Sequence, residues 1–157
     1  MSNKVDDRDW LYRMVRPIHH REGELSPDAY DDKYEAQSFN VVSVSSPRAT
    51  LEKFAQYRGT RNLCGKKSKD ADPTFLEMYD AGYRVAVNSV RFVLEIGLAF
   101  RLSEDGDEYN GQTAHADVIG AKDKAAVLAM DAYVLTKEEM LTGFSPPVPA
   151  KRQANQD

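Results

Sequence analysis

The chain has 157 residues, 41% of them hydrophobic and 29% charged, which is enough for one domain with a real core and too few for two comfortable ones. Its net charge of −4 is unevenly spread: residues 1–69 hold 13 Lys and Arg against 10 Asp and Glu, giving +3, while residues 70–157 hold 8 against 15, giving −7. A dipole of that size can orient an anionic ligand or a complementary partner, but it lacks the concentrated basic face of duplex-binding proteins, and no nucleic acid is expected.

Along the chain, Trp10 to Val15 reads as a strand with Trp10, Tyr12 and Met14 on one face and Leu11, Arg13 and Val15 on the other, ended by Pro17. The polar segment Ile18 to Gln37 contains Ser26-Pro27, an N-cap and first helical position for a turn or two of helix. Ser38 to Ser45 is strand-like by its β-branched content, and Ser46-Pro47 opens a helix with Leu51, Phe54 and Ala55 on its apolar face and Gly59 as its stop. Arg58 to Lys69 is a basic loop whose composition predicts mobility. Asp72-Pro73 starts a second short helix that packs Phe75, Leu76, Met78 and Tyr79 inward and closes at Gly82.

The central stretch follows. Tyr83, Val85 and Val87 carry an apolar face on odd positions, and from Val90 to Leu102 every even position is apolar, so the phase flips near Asn88 and Ser89. A period of two predicts two strands joined by a turn or bulge, with Gly97 as a second bend. Asp105-Gly106 and Asn110-Gly111 are hairpin signals, Thr113 to Ile119 is a returning strand, and Asp123 caps a third helix to about Leu135 built on Ala126, Val127, Met130, Tyr133 and Val134. Thr136 and Glu139 fit a capping box for a last helical turn. Together these elements predict an α+β fold: a mainly antiparallel twisted sheet of about five strands with three helices packed against one face of it. The domain is expected over residues 1–144, with a disordered, proline-containing tail over 145–157.

One cysteine, Cys64, excludes an intramolecular disulfide framework and a thiolate zinc site of its own. No apolar run approaches the roughly 20 residues of a membrane helix, and Met1 to Asp9 is polar and acidic where a secretory signal would be basic and then apolar. A cytoplasmic protein with no membrane partner is the expectation.

Gly65-Lys66-Lys67-Ser68 with Gly59 upstream fails the spacing of a phosphate-binding loop and follows a helix where that loop needs a strand before it. Glu104, Asp105, Asp107 and Glu108 lack the spacing of a calcium loop. His115 and Asp117 share a strand face, where an imidazole and a carboxylate can converge on a metal or share a proton, and the adjacent His19 and His20, a weaker sign, are candidates with Arg13 and Arg16 for a small anionic ligand. Neither group makes a complete metal set, so no metal is expected.

Leu11-Tyr12-Arg13 on a first strand and Ser43-Val44-Ser45-Ser46 ending another, followed by the helix with Leu51, Phe54 and Ala55, resemble the arginine and serine elements of ADP-ribosyltransferase-like folds over less than half the chain. That resemblance implies NAD held by Arg13 and by Ser43 or Ser45, with Glu95, Glu108 or His115 acting on the ribose. No Glu-x-Glu stands on a suitable strand. Because no complete catalytic or cofactor motif is present, the leading expectation is a protein-binding accessory, immunity-like or regulatory module, prokaryotic or viral in style, that uses no cofactor and partners another protein or a second copy of itself. The alternative is an enzyme or nucleotide-binding protein with catalytic candidates Arg13, Ser45, His115 and Asp117, and with Arg13, Arg16, His19 and His20 holding a small anionic ligand.

Overall fold

The computed structural model describes residues 7–21, 24–30, 36–44, 46–55, 64–65, 73–102, 108–109, 112–113 and 115–145. The expected loop at Arg58 to Lys69 falls almost wholly outside them, as do Gly59, Asp105-Gly106, Asn110-Gly111 and the tail beyond Ser145.

Strand β1, Trp10–Val15, has the bounds its alternation predicts. Pro17 then turns the chain into a single 3-10 turn, Pro17–His19, which leads to the small hairpin of β2, His20–Arg21, and β3, Glu24–Leu25. A second 3-10 turn, Pro27–Tyr30, begins where Ser26-Pro27 predicts, with the Ser26 hydroxyl accepting from the Asp28 amide. The next strand, β4, runs Ala36–Val41 and yields to another 3-10 turn, Val42–Val44, earlier than the β-branched run suggests. Helix α1, Pro47–Phe54, starts under Ser46, whose Oγ accepts from the Ala49 amide. Helix α2, Phe75–Asp80, begins two residues later than expected, under a capping box of Thr74 and Glu77. Phe75 and Met78 are buried there, while Leu76 is half exposed.

After β5, Arg84–Ser89, the structure departs from the period-two reading. Val90–Glu95 is a helix, α3, with Ser89 as its N-cap and the Ser89 Oγ accepting from the Phe92 amide. The phase flip at Asn88 and Ser89 is therefore a change of element, from strand to helix. Gly97 ends α3 with a φ of 88°, and the bonds from Gly97 N to Leu94 O and from Leu98 N to Val93 O close a Schellman motif with Val93 and Leu98 in the same core. Only Ala99–Leu102, β6, is strand.

Strands β7, Glu108–Tyr109, and β8, Gln112–Thr113, pair in a register that brackets Asn110-Gly111. Strand β9 is His115–Ile119. The third predicted helix is shorter than its pattern: a 3-10 turn, Ala121–Lys124, leads into α4, Ala125–Asp131, and Tyr133–Val134 is a strand, β10. The capping box at Thr136 and Glu139 starts α5, Lys137–Thr142, as expected. Desolvation pushes the Glu139 carboxyl upward, but its bonds from the Thr136 amide and hydroxyl and the Tyr133 hydroxyl outweigh that and hold it below the ordinary range.

The fold is α+β. Six of the described strands form one sheet in the order β10-β5-β1-β4-β9-β6, and every neighbouring pair is antiparallel. Its faces are covered on both sides, where the sequence suggested one. Leu11, Val15, Phe39, Ala86, Ala116 and Val118 pack with Val90 and Val93 of α3, Leu128 of α4 and Tyr30. On the other face, Tyr12, Val85 and Val87 pack with Leu51 of α1, Phe75 and Met78 of α2, and Met140 of α5. β1 and β5 contribute to both cores through alternate residues, which makes them the axis of the molecule. Among the described residues no helix is long and apolar enough to cross a membrane.

Candidate functional site

Arg13 points from the middle of β1 into the first of these cores. Its Nε donates to Ala29 O at 3.1 Å and its Nη1 to Ser38 O at 2.8 Å, and its guanidinium lies 5.2 Å from the Phe39 ring centre and 5.9 Å from that of Tyr30. The fork geometry that suits a phosphate is turned here on two backbone carbonyls and two aromatic faces. Arg16, three residues on, falls on the other side and sits 5.4 Å from the Phe54 ring.

His19 and His20 occupy the turn and hairpin that follow. Burial, the neighbouring Arg16, and more weakly Arg13 and His20 lower the His19 pKa, while Asp28 opposes them. The His20 Nε2 lies 2.6 Å from Gly82 O and donates to it, binding the hairpin to the turn after α2. Gly82 has a φ of 104°, and a Cβ built there would stand 2.9 Å from Pro17 Cβ, so only glycine allows this approach. Beside it lies an open cleft of about 710 Å³, lined by Pro17, Ile18, His20, Arg21, Glu24, Leu25 and Ser26. The four residues expected to hold an anion thus run from the middle of β1 to the hairpin after it, but Arg13, Arg16 and His19 do not line that cleft and His20 bonds to the protein itself.

The remaining candidates are dispersed. Ser45 lies outside the described residues. His115 occupies β9 opposite Asn40, and Asp117 stands between Ser38 and Arg101 in the neighbouring strands. Because Ala116 and Val118 enter the core that holds Arg13, alternation sends Asp117 to the opposite face of the sheet. Arg13 and Asp117 therefore do not share a cleft. Ser43, the other serine of the resemblance, donates its hydroxyl to the Asp9 carboxylate. Glu95 ends α3 exposed to solvent, and Glu108 lies in β7. Among the described residues no three His, Cys, Asp or Glu side chains gather to hold a metal ion.

A feature of another kind is found on α4. The sequence predicts Ala126, Val127 and Met130 as its buried stripe, and the structure reverses this: Ala125, Leu128 and Ala129 face the core, while Ala126, Val127 and Met130 face solvent. Met130 is 88% exposed and Val127 41%. The helix is apolar on both sides, and its sequence offered no polar face from which to choose the buried one; the only available signal was that absence itself. Its flanks are charged, with Lys122, Asp123 and Lys124 exposed before it and Asp131 exposed at its end. The Asp131 carboxylate accepts from Asn88 Nδ2 at 3.0 Å.

No protein-family model, curated protein or solved structure matches the chain.

Proposed function

We propose that this chain is a protein-binding module of the accessory or regulatory kind, and that it meets its partner through the outer face of α4. The observation that carries the reading is the exposure of Ala126, Val127 and Met130 on a helix whose opposite face is already packed against the sheet. A helix with apolar residues all round is ordinarily covered all round. Apolar area returned from water stabilises a contact by about 25 cal/mol per Å², and charged residues at both ends of the stripe supply the polar rim that protein interfaces show.

A photo-crosslinking residue in place of Ala126, introduced in the cells that make the chain, tests this. The expected outcome is a covalent adduct with protein from position 126 and none from Glu95, an exposed residue at the end of α3. Absence of any adduct from position 126 would remove the reading.

A second reading, a small anionic ligand, is favoured by the charge of Arg16, Arg13 and His20 felt at His19, with His20 and Arg21 lining the open cleft. Calorimetric titration with NAD and with ATP separates the two. Heat that disappears in Arg13→Lys, with the fold retained, would support the ligand, because lysine keeps the charge and loses the fork.

A further inference from the structure

We propose that the 3-10 turn Pro17–His19 and the β2–β3 hairpin form a flap that opens in mild acid, released when the His19 imidazole takes up a proton. The flap is lightly attached. None of the described residues in 16–21 and 24–26 is buried, and Ile18 is 83% exposed. The cleft of about 710 Å³ is lined by the flap and the adjoining Ser26 alone, so no other element packs against the flap on that side. Among the described residues it is tied to the body by the bond from His20 Nε2 to Gly82 O at 2.6 Å, by the close approach of Pro17 to Gly82, and by Leu25, partly buried against the first core. Segments with so few buried apolar contacts open locally, well below the free energy of global unfolding. A two-stranded hairpin on its own is marginal in water, so the bond from Ser26 N to His19 O, 2.7 Å long, is lost when the flap detaches.

His19 stands where the turn meets the hairpin, with cations around it. Arg13 is held by Ala29 O and Ser38 O, His20 by Gly82 O, and Arg16 rests on the Phe54 ring. A proton gained by His19 is therefore gained beside like charge, and among the described residues the Asp28 carboxylate opposes this. Burial first, then Arg16, hold the imidazole below its ordinary pKa. In the open flap the ring regains water and its ordinary value of about 6.5, so the open form binds the proton more tightly than the closed one. The closed form keeps its full stability above that value and loses it as pH falls from there through the lowered one. His20 does not throw the switch, because its Nε2–H donates to Gly82 O from the neutral ring and from the imidazolium alike.

Hydrogen exchange of the Ser26 amide in the full chain, followed by nuclear magnetic resonance and corrected for the intrinsic rate at each pH, tests this. Its protection should fall about threefold or more between about pH 7.5 and about pH 5.5, while the amides of β5, a strand paired on both sides, keep theirs. His19→Gln, which cannot take up the proton, should make the Ser26 protection flat across that range. Arg16→Gln should shrink the fall and Asp28→Asn enlarge it, because the first removes a repulsion at His19 and the second an attraction. Ser26 protection that is the same at both pH values in the parent chain would overturn the proposal, as would a fall that persists undiminished in His19→Gln. A loss shared by the β5 amides would overturn it as well, since the whole fold and not the flap would then be answering to the proton.

Discussion

Asn88 lies at the end of β5 with no solvent exposure, and its side-chain amide joins three parts of the fold. Its Oδ1 accepts from the Tyr30 hydroxyl at 2.5 Å, and its Nδ2 donates to Leu128 O at 3.1 Å and to the Asp131 carboxylate. Burial raises the pKa of the Tyr30 phenol far above its ordinary value, more than nearby Arg13 lowers it, so the hydroxyl remains a donor wherever the protein is folded. Asn88→Ala would leave the buried Tyr30 hydroxyl without its acceptor, while Leu128 O keeps its bond from the Ala132 amide, and should cost about 1 to 3 kcal/mol in urea denaturation. Tyr30→Phe should cost about 1 to 2 kcal/mol, leaving only Oδ1 unpaired. The double variant should cost less than the sum, because both changes remove the same bond. Strict additivity would show that the two side chains do not act on each other. Nothing in the sequence signals this network, since Tyr30 and Asn88 are 58 residues apart. Arg13 illustrates the same limit: its place on β1 was legible from alternation, but the carbonyls of Ala29 and Ser38 that occupy it come from segments only the fold brings near.

At the level of elements, α3 decides between two periodicities written into one stretch. Val90, Phe92, Leu94 and Ile96 alternate as in a strand, yet Val90 and Val93 alone, three apart, are fully buried, while Leu94 is 44% exposed. The serine cap before the run and the glycine after it favour a helix over an alternating strand, and a local apolar pattern of six residues cannot outvote both. Val93→Ala should therefore cost about 1 to 3 kcal/mol, for two buried methyl groups and the cavity they leave, and Leu94→Ala less than about 1 kcal/mol, both from urea midpoints. The reverse order would restore the strand. Elements with their own punctuation were legible: β1 between its polar start and Pro17, α1 under Ser46, α5 under its capping box. α4 was misassigned to its outer face for the opposite reason, because either stripe of a helix this apolar could be buried and the sheet, not the helix, made the choice.

For the whole molecule, the two cores lie on opposite faces of one sheet, and the question is whether they unfold together. β1 sends Leu11 and Val15 to one core and Tyr12 to the other, and β5 sends Ala86 to one and Val85 and Val87 to the other. Neither core can be lost without freeing the backbone on which its counterpart is mounted, and each of these strands is paired on both sides within the sheet. The coupling predicts one cooperative transition. Trp10, the chain's one tryptophan, packs against the second core with its ring 5.9 Å from that of Phe144, so its fluorescence reports that side, while far-ultraviolet circular dichroism reports the sheet and helices at large. Val118→Ala, wholly within the first core, should cost about 1 to 3 kcal/mol and move the fluorescence and dichroism midpoints by the same amount. Leu51→Ala, on the tryptophan side, should cost about 2 to 5 kcal/mol and again move both signals together. A Val118→Ala protein whose dichroism shifts while its tryptophan signal holds would mean that the faces melt separately, and that β1 and β5 transmit less than their alternating side chains require.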